Sequence, residues 1–113
     1  MNIIDMNANT VFRDESLTKR VLHEDANALS FLLNLRQGQS VPRHGHEHAT
    51  LSLAVLRGAG TVQVNDERVD LTAGAFLTLT GADELAIPDV QEDMSLLVTL
   101  SPNPSNPIYA KEV

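Results

Sequence analysis

Three of the four histidines in this chain, His44, His46 and His48, are spaced two residues apart. In an extended segment, side chains two apart project to the same face, with Cα atoms roughly 6.5–7 Å apart. Imidazoles so placed can converge on one small cation at metal–nitrogen distances of roughly 2.0–2.1 Å. A helix would send them to different sides. Imidazole nitrogens suit zinc, nickel, copper or iron better than magnesium or calcium. The cofactor this cluster would take is therefore a divalent transition metal (Zn, Ni, Fe, Cu or Mn). In a fully regular strand His44 and His48 would stand roughly 13 Å apart, so His48 joins the set only where the chain bends at Glu47 and His48. Otherwise His44 and His46 line a pocket and His48 sits at its rim. Both arrangements stay open. Glu47 is a candidate acid or base at the mouth, and Arg43 a candidate for steering an anion; both read more simply as solvated charges. His23 is distant in sequence and reads as a surface residue, and nothing singles out Tyr109 for chemistry.

The histidines lead directly into the apolar run Leu51-Ser-Leu-Ala-Val-Leu56, which alternates large with small as a strand with one buried face does. Leu51, Leu53 and Val55, with Phe76 and Leu85, are the predicted core or pocket lining. Pro42 suits the start or edge of a strand, where its missing N–H does no harm. Further strands are expected over 18–23, 29–35, 61–64, 68–71, 76–79, 85–87 (stopping at Pro88) and 94–100. Leu29, Phe31, Leu33 and Leu35 should share one face. Gly, Pro, Asn and Asp punctuate these segments every 8–12 residues or so, and no window has a capped helical period. That pattern predicts an antiparallel β-sandwich or barrel. Residues 1–28 read as an N-terminal arm with the first strands, 29–100 as the barrel core, and 101–113 as a proline-rich tail that Ile108 and Tyr109 anchor, all in one domain.

Gly38, five residues, His44-x-His46, a gap and an apolar strand ending at Gly58 resemble the first motif of the cupin superfamily. Both glycines and both histidines match in place. The family's glutamate column falls on Leu51 or Thr50, neither of which is a carboxylate. In the second motif, counted from Gly74, the proline, glycine and histidine columns fall on Thr80, Ala82 and Leu85. A one-residue shift would offer Glu84 instead, but would flip every side chain of the strand to the other face. The resemblance implies a small jelly-roll barrel. It covers roughly residues 29–100, and the usual three-histidine, one-glutamate site cannot be assembled from its standard columns.

Fifteen acidic and eight basic residues give 113 residues a net charge of −7, the wrong sign for nucleic acid or an anionic membrane surface. The absence of cysteine excludes disulfides, thiolate metal sites and cysteine nucleophiles. No signal peptide and no membrane-length apolar run is visible, so the chain reads as a soluble cytoplasmic protein. Two functional classes follow. One is a small metal-dependent enzyme of the cupin type, with His44, His46 and His48 as ligands. The other is a metal-poor binding or sensing module whose pocket holds a small, partly apolar molecule. A homodimer is expected in either case, since small cupins commonly pair and residues such as Leu56 are left for the outer face.

Overall fold

A computed structural model describes residues 1–46, 48–104 and 109–113. Glu47 and Ile108, assigned above to the mouth and to the tail anchor, lie outside the described residues. The chain is an all-β, antiparallel, single-domain fold. Its strands are β1 (Thr18–Glu24), β2 (Leu29–Leu35), β3 (Val41–Gly45), β4 (Thr50–Val64), β5 (Glu67–Thr72), β6 (Phe76–Leu79) and β7 (Glu84–Ser101). One single-turn 3₁₀ segment, Asn7–Asn9, precedes them. Among the described residues no helix is long and apolar enough to cross a membrane.

The architecture turns on the two long strands. β4 and β7 pair along their whole length, from Thr50 opposite Ser101 to Val64 opposite Leu85. The order through them is β1-β2-β7-β4-β5, with β6 added to the first half of β4 and β3 to the first half of β7. Each long strand therefore contributes one half to each of two sheets. One sheet carries β1, β2 and β6, the other β3 and β5.

Two pairs of segments expected to be separate strands are thus continuous. Residues 85–87 and 94–100 both belong to β7, and the apolar run from Leu51 and residues 61–64 both belong to β4. The breaks anticipated at Gly58, Gly60 and Pro88 are instead irregularities of register between Val55 and Gln63. A proline lacking its N–H is tolerated in a strand at such a point. Gly58 is the sharpest of them. It has φ +87°, and a Cβ there would lie 2.1 Å from the carbonyl oxygen of Asp93. Only glycine lets the two strands bend together so closely. The motif's terminal glycine is a corner of the barrel.

Leu29, Phe31, Leu33 and Leu35 of β2 join Leu51, Leu53, Val55, Val62, Met94, Leu96, Val98 and Leu100 in one apolar core. The opposite face of β2 is also covered. Asn34 is fully buried there; its side-chain amide donates to the Asn9 carbonyl and to Thr18 Oγ1, and its oxygen accepts from Ser95 Oγ at 2.8 Å. Thr18 in turn donates to the Val11 carbonyl. Phe12 is flanked by the guanidinium groups of Arg36 and Arg57, 5.5 and 5.6 Å from its ring. The N-terminal arm is docked along this face.

Candidate functional site

β3 carries the first histidine because its pairing with β7 slips between Val41, opposite Ile87, and His44, opposite Leu85. His46 follows one residue beyond the strand and is only 3% exposed. The two imidazoles meet edge to face with centroids 4.6 Å apart. His44 Nδ1 lies 2.8 Å from the Pro42 carbonyl. A carbonyl only accepts, so His44 carries its proton on Nδ1 and leaves Nε2 as an acceptor. His46 Nδ1 is buried and, among the described residues, has no hydrogen-bond partner. Burial, with smaller contributions from neighbouring His44 and Lys19, lowers the His46 pKa to about 4. His46 is therefore neutral at pH 7.

His48 is not in this group. It occupies a turn with φ +64° and borders a separate, wider depression with Gly45, Thr80, Gly81 and Glu84. His23 lies on the surface, 2.9 Å from Asp25. Arg43 pairs with Glu84 at 3.0 Å and with Asp66 at 3.4 Å. Glu84 thus lies outside, while Leu85, in the histidine column of the unshifted register, faces in.

His44 and His46 line a cavity of about 420 Å³ between the two sheets. Leu51, Leu53 and Leu85 line it, with Phe31, Leu33, Val41, Ile87 and Val98. Val55 is buried in the core but does not reach the cavity wall. Phe76 is 68% exposed on the outside of β6, where Leu77 and Leu79 take the inward positions.

Three polar lining residues escape a reading of the sequence: Lys19, Tyr109 and Lys111. The segment 109–113 runs beside β1, held by Lys19 N–H to the Val113 carbonyl (3.0 Å) and Val113 N–H to the Lys19 carbonyl (3.3 Å). Val21 N–H donates to Glu112 Oε2 at 2.7 Å. Tyr109 and Ala110 form a turn ahead of this contact, and Tyr109, Lys111 and Val113 line the cavity. That spacing of two, with Leu17 just before β1 and Lys19 within it also lining the cavity, is the available signal. Tyr109 sits 5.4 Å from His46, and its hydroxyl donates to the Gly45 carbonyl at 2.9 Å. Lys19 Nζ donates to the Tyr109 carbonyl at 3.3 Å and lies 4.6 Å from the centre of the Phe31 ring. Burial lowers its pKa.

These residues do not form a good set for a divalent cation. Among the described residues no three His, Cys, Asp or Glu side chains gather where they could hold a metal ion. Two imidazoles stand next to two lysine side chains, and the Tyr109 hydroxyl keeps its proton to donate. Catalytic metal sites typically hold the ion with three protein ligands.

Comparisons with known proteins agree with this geometry. The Cupin domain family model matches residues 31–82, from the start of the cavity wall on β2 through both histidines to the turn after β6. An RmlC-like cupin protein from Desulfovibrio desulfuricans has a similar structure, with a TM-score of 0.81, 26% identity, and coverage of 90% of this chain and 97% of that one. A protein from Thermus thermophilus superposes with a TM-score of 0.81 at 23% identity, over 90% of this chain and 98% of its own. A Klebsiella pneumoniae protein with a double-stranded β-helix domain does so with 0.80 at 15% identity, over 90% of both chains. No curated protein matches the sequence. The chain thus has the fold of these cupin structures, and its residues 31–82, with both motif histidines, match the Cupin domain family.

Proposed function

We propose that this protein binds a small, partly apolar molecule in the cavity between its sheets, without a tightly held metal. The observation carrying this reading is the lining itself: a mostly aliphatic chamber of about 420 Å³ with its polar groups gathered around His46, Tyr109 and Lys19. Pockets for small ligands have this composition, mostly apolar walls with a few polar groups that fix orientation. Cupins as a family include metal-binding and small-molecule-handling proteins, and on this reading the chain belongs with the second kind.

A second reading has one observation in its favour. The Nδ1 hydrogen bond of His44 to a backbone carbonyl is how a ligating histidine is commonly oriented, leaving Nε2 for an ion. A divalent transition metal (Zn, Ni, Fe, Cu or Mn) would then need His48 or another group as a third ligand.

Calorimetric titration of untagged protein and its His46→Ala variant with zinc, nickel and iron(II) separates the two. Weak binding, equal in both proteins, is expected. Tight binding to the wild type that His46→Ala abolishes would overturn the metal-free reading. In parallel, fluorescence of the uncharged probe 1-aminoanthracene should rise on addition of the wild type. It should not rise with Val98→Phe, which fills the chamber from its wall.

A further inference from the structure

The cavity has a charge opposite to that of the protein. Fifteen acidic side chains outnumber eight basic ones over the whole chain, yet two lysines and no described aspartate or glutamate line this chamber. Lys19 is half-buried against this aliphatic cavity, which is unfavourable unless its charge is met by hydrogen bonds, water or an opposite charge. An ammonium has three donors. Among the described residues Lys19 Nζ uses one, on the Tyr109 carbonyl, and rests its cation against the Phe31 ring. Beside it, His46 Nδ1 is buried without any partner among the same residues. The remaining lysine donors and this nitrogen belong to neighbouring groups, joined through Tyr109, which contacts both residues. Away from them the walls offer only hydrocarbon, as at Leu33, Leu51 and Val98.

We infer that the ligand of this cavity is an amphiphilic anion, a monocarboxylate with a short hydrocarbon body. Its head is held by Lys19 and His46, and its tail lies along Leu33, Leu51 and Val98. The inference rests on the small-molecule reading above and adds the chemical class. A neutral ligand would leave the lysine charge unmatched. A cation would face the Lys19 ammonium. A fully polar anion would gain nothing from the far walls. The carboxylate oxygens accept from Lys19 and from His46 with its proton on Nδ1, so each unmet polar group in the chamber gains a partner.

The test is displacement of 1-aminoanthracene by octanoate, octan-1-ol and octylammonium, three ligands with one tail and three head charges. The wild type should bind octanoate about tenfold more tightly than octanol, because a hydrogen bond to an ionised group exceeds a neutral one by about that factor. Octylammonium should bind most weakly. Lys19→Met, which keeps the length and apolar stem of the side chain, should bring octanoate down to the level of octanol and leave octanol unchanged. Lys19→Arg should restore the preference. Thermal melts of each variant confirm folding. Octanoate and octanol competing equally in the wild type would overturn the anion assignment while leaving the binding chamber standing. A preference for octanoate that survives in folded Lys19→Met would overturn the role of Lys19. Failure of the probe itself to bind the wild type would overturn the small-molecule reading, and the inference with it.

Discussion

Acidification should destabilise this protein through one side chain, His46. Burial among apolar groups, with His44 and Lys19 close by, lowers its pKa in the folded state from 6.5 to about 4. In the unfolded chain the imidazole returns to its ordinary value. Between those two values the unfolded state binds a proton that the folded state refuses, so stability falls as pH falls. The effect is absent above pH 6.5 and complete below pH 4. A shift of about 2.5 pKa units corresponds to about 3 kcal/mol at 1.36 kcal/mol per unit. About 2 kcal/mol of it should already be lost by pH 5.

Urea unfolding followed by circular dichroism, at half-unit steps from pH 7.5 to 4, measures the loss. His46→Phe supplies the reference, since phenylalanine keeps a flat ring against His44 and Tyr109 but cannot take a proton. The difference in stability between wild type and variant should shift by about 3 kcal/mol across that range, against the wild type at low pH. Groups common to both proteins largely cancel. Hydrogen bonds from His23 to Asp25 and from Asn65 to Asp83 hold both carboxyls below 3.8. Their contribution is present above 3.8 and is lost only beneath the window. A flat difference, or a His46 ring signal in NMR that titrates near pH 6.5, would refute the argument.

Three further outcomes follow from the fold. Gly58→Ala should cost several kcal/mol or prevent soluble expression, because its Cβ would meet the Asp93 carbonyl at 2.1 Å at a left-handed φ; Gly74→Ala, where no atom lies within 4 Å, should be milder in a parallel melt. Asn34→Ala should lose about 1–3 kcal/mol in urea unfolding, since it strands the buried Ser95 hydroxyl and removes a donor to Thr18 Oγ1. It should also speed limited proteolysis within residues 1–17, as the arm loses its anchor at the Asn9 carbonyl. We expect a homodimer in sedimentation at micromolar concentration, using exposed apolar residues of β4 and β6 such as Leu56 and Phe76, and Phe76→Ser should shift it toward monomer.

How much of the site can be read from the sequence depends on how far apart in the chain its parts lie. The pairing of His44 with His46 is legible because a period of two is a local property of extended backbone. The inward face of Leu51 and Leu53 is legible for the same reason. Chemistry alone assigns Phe76 to the lining. β6 is a four-residue strand, and its register against β4, Ala54 opposite Phe76 and Leu51 opposite Leu79, is what turns Leu77 and Leu79 inward. The period is visible, but its phase is not. Lys19, Tyr109 and Lys111 cannot be found locally, because Lys19 and Tyr109 are ninety residues apart and meet only when segment 109–113 docks on β1. Pro88 misleads in the opposite direction: it ends a strand in isolation, but β7 already changes register beside it and has no hydrogen bond there to lose.

The cavity is also where this chain departs from what would make it most stable. On the far face of β2 the buried polar groups are satisfied, as Asn34, Ser95 and Thr18 are by one another. Around His46 they are not. A neutral imidazole keeps a nitrogen unpartnered among the described residues, and a lysine is held among leucines at a cost to its own ionisation. Apolar residues of similar size would remove both penalties and fill space that is now open. His46→Phe should therefore be at least as stable as the wild type at every pH in the titration above. Local departures of this kind concentrate at functional sites, where a ligand supplies the missing partners. The pH titration and the displacement series thus test one idea from two sides. If octanoate satisfies His46 and Lys19, its addition should also raise the His46 pKa and shrink the acid loss, since a carboxylate beside the ring favours the protonated form. A His46 titration unmoved by saturating octanoate would mean that the anion binds elsewhere.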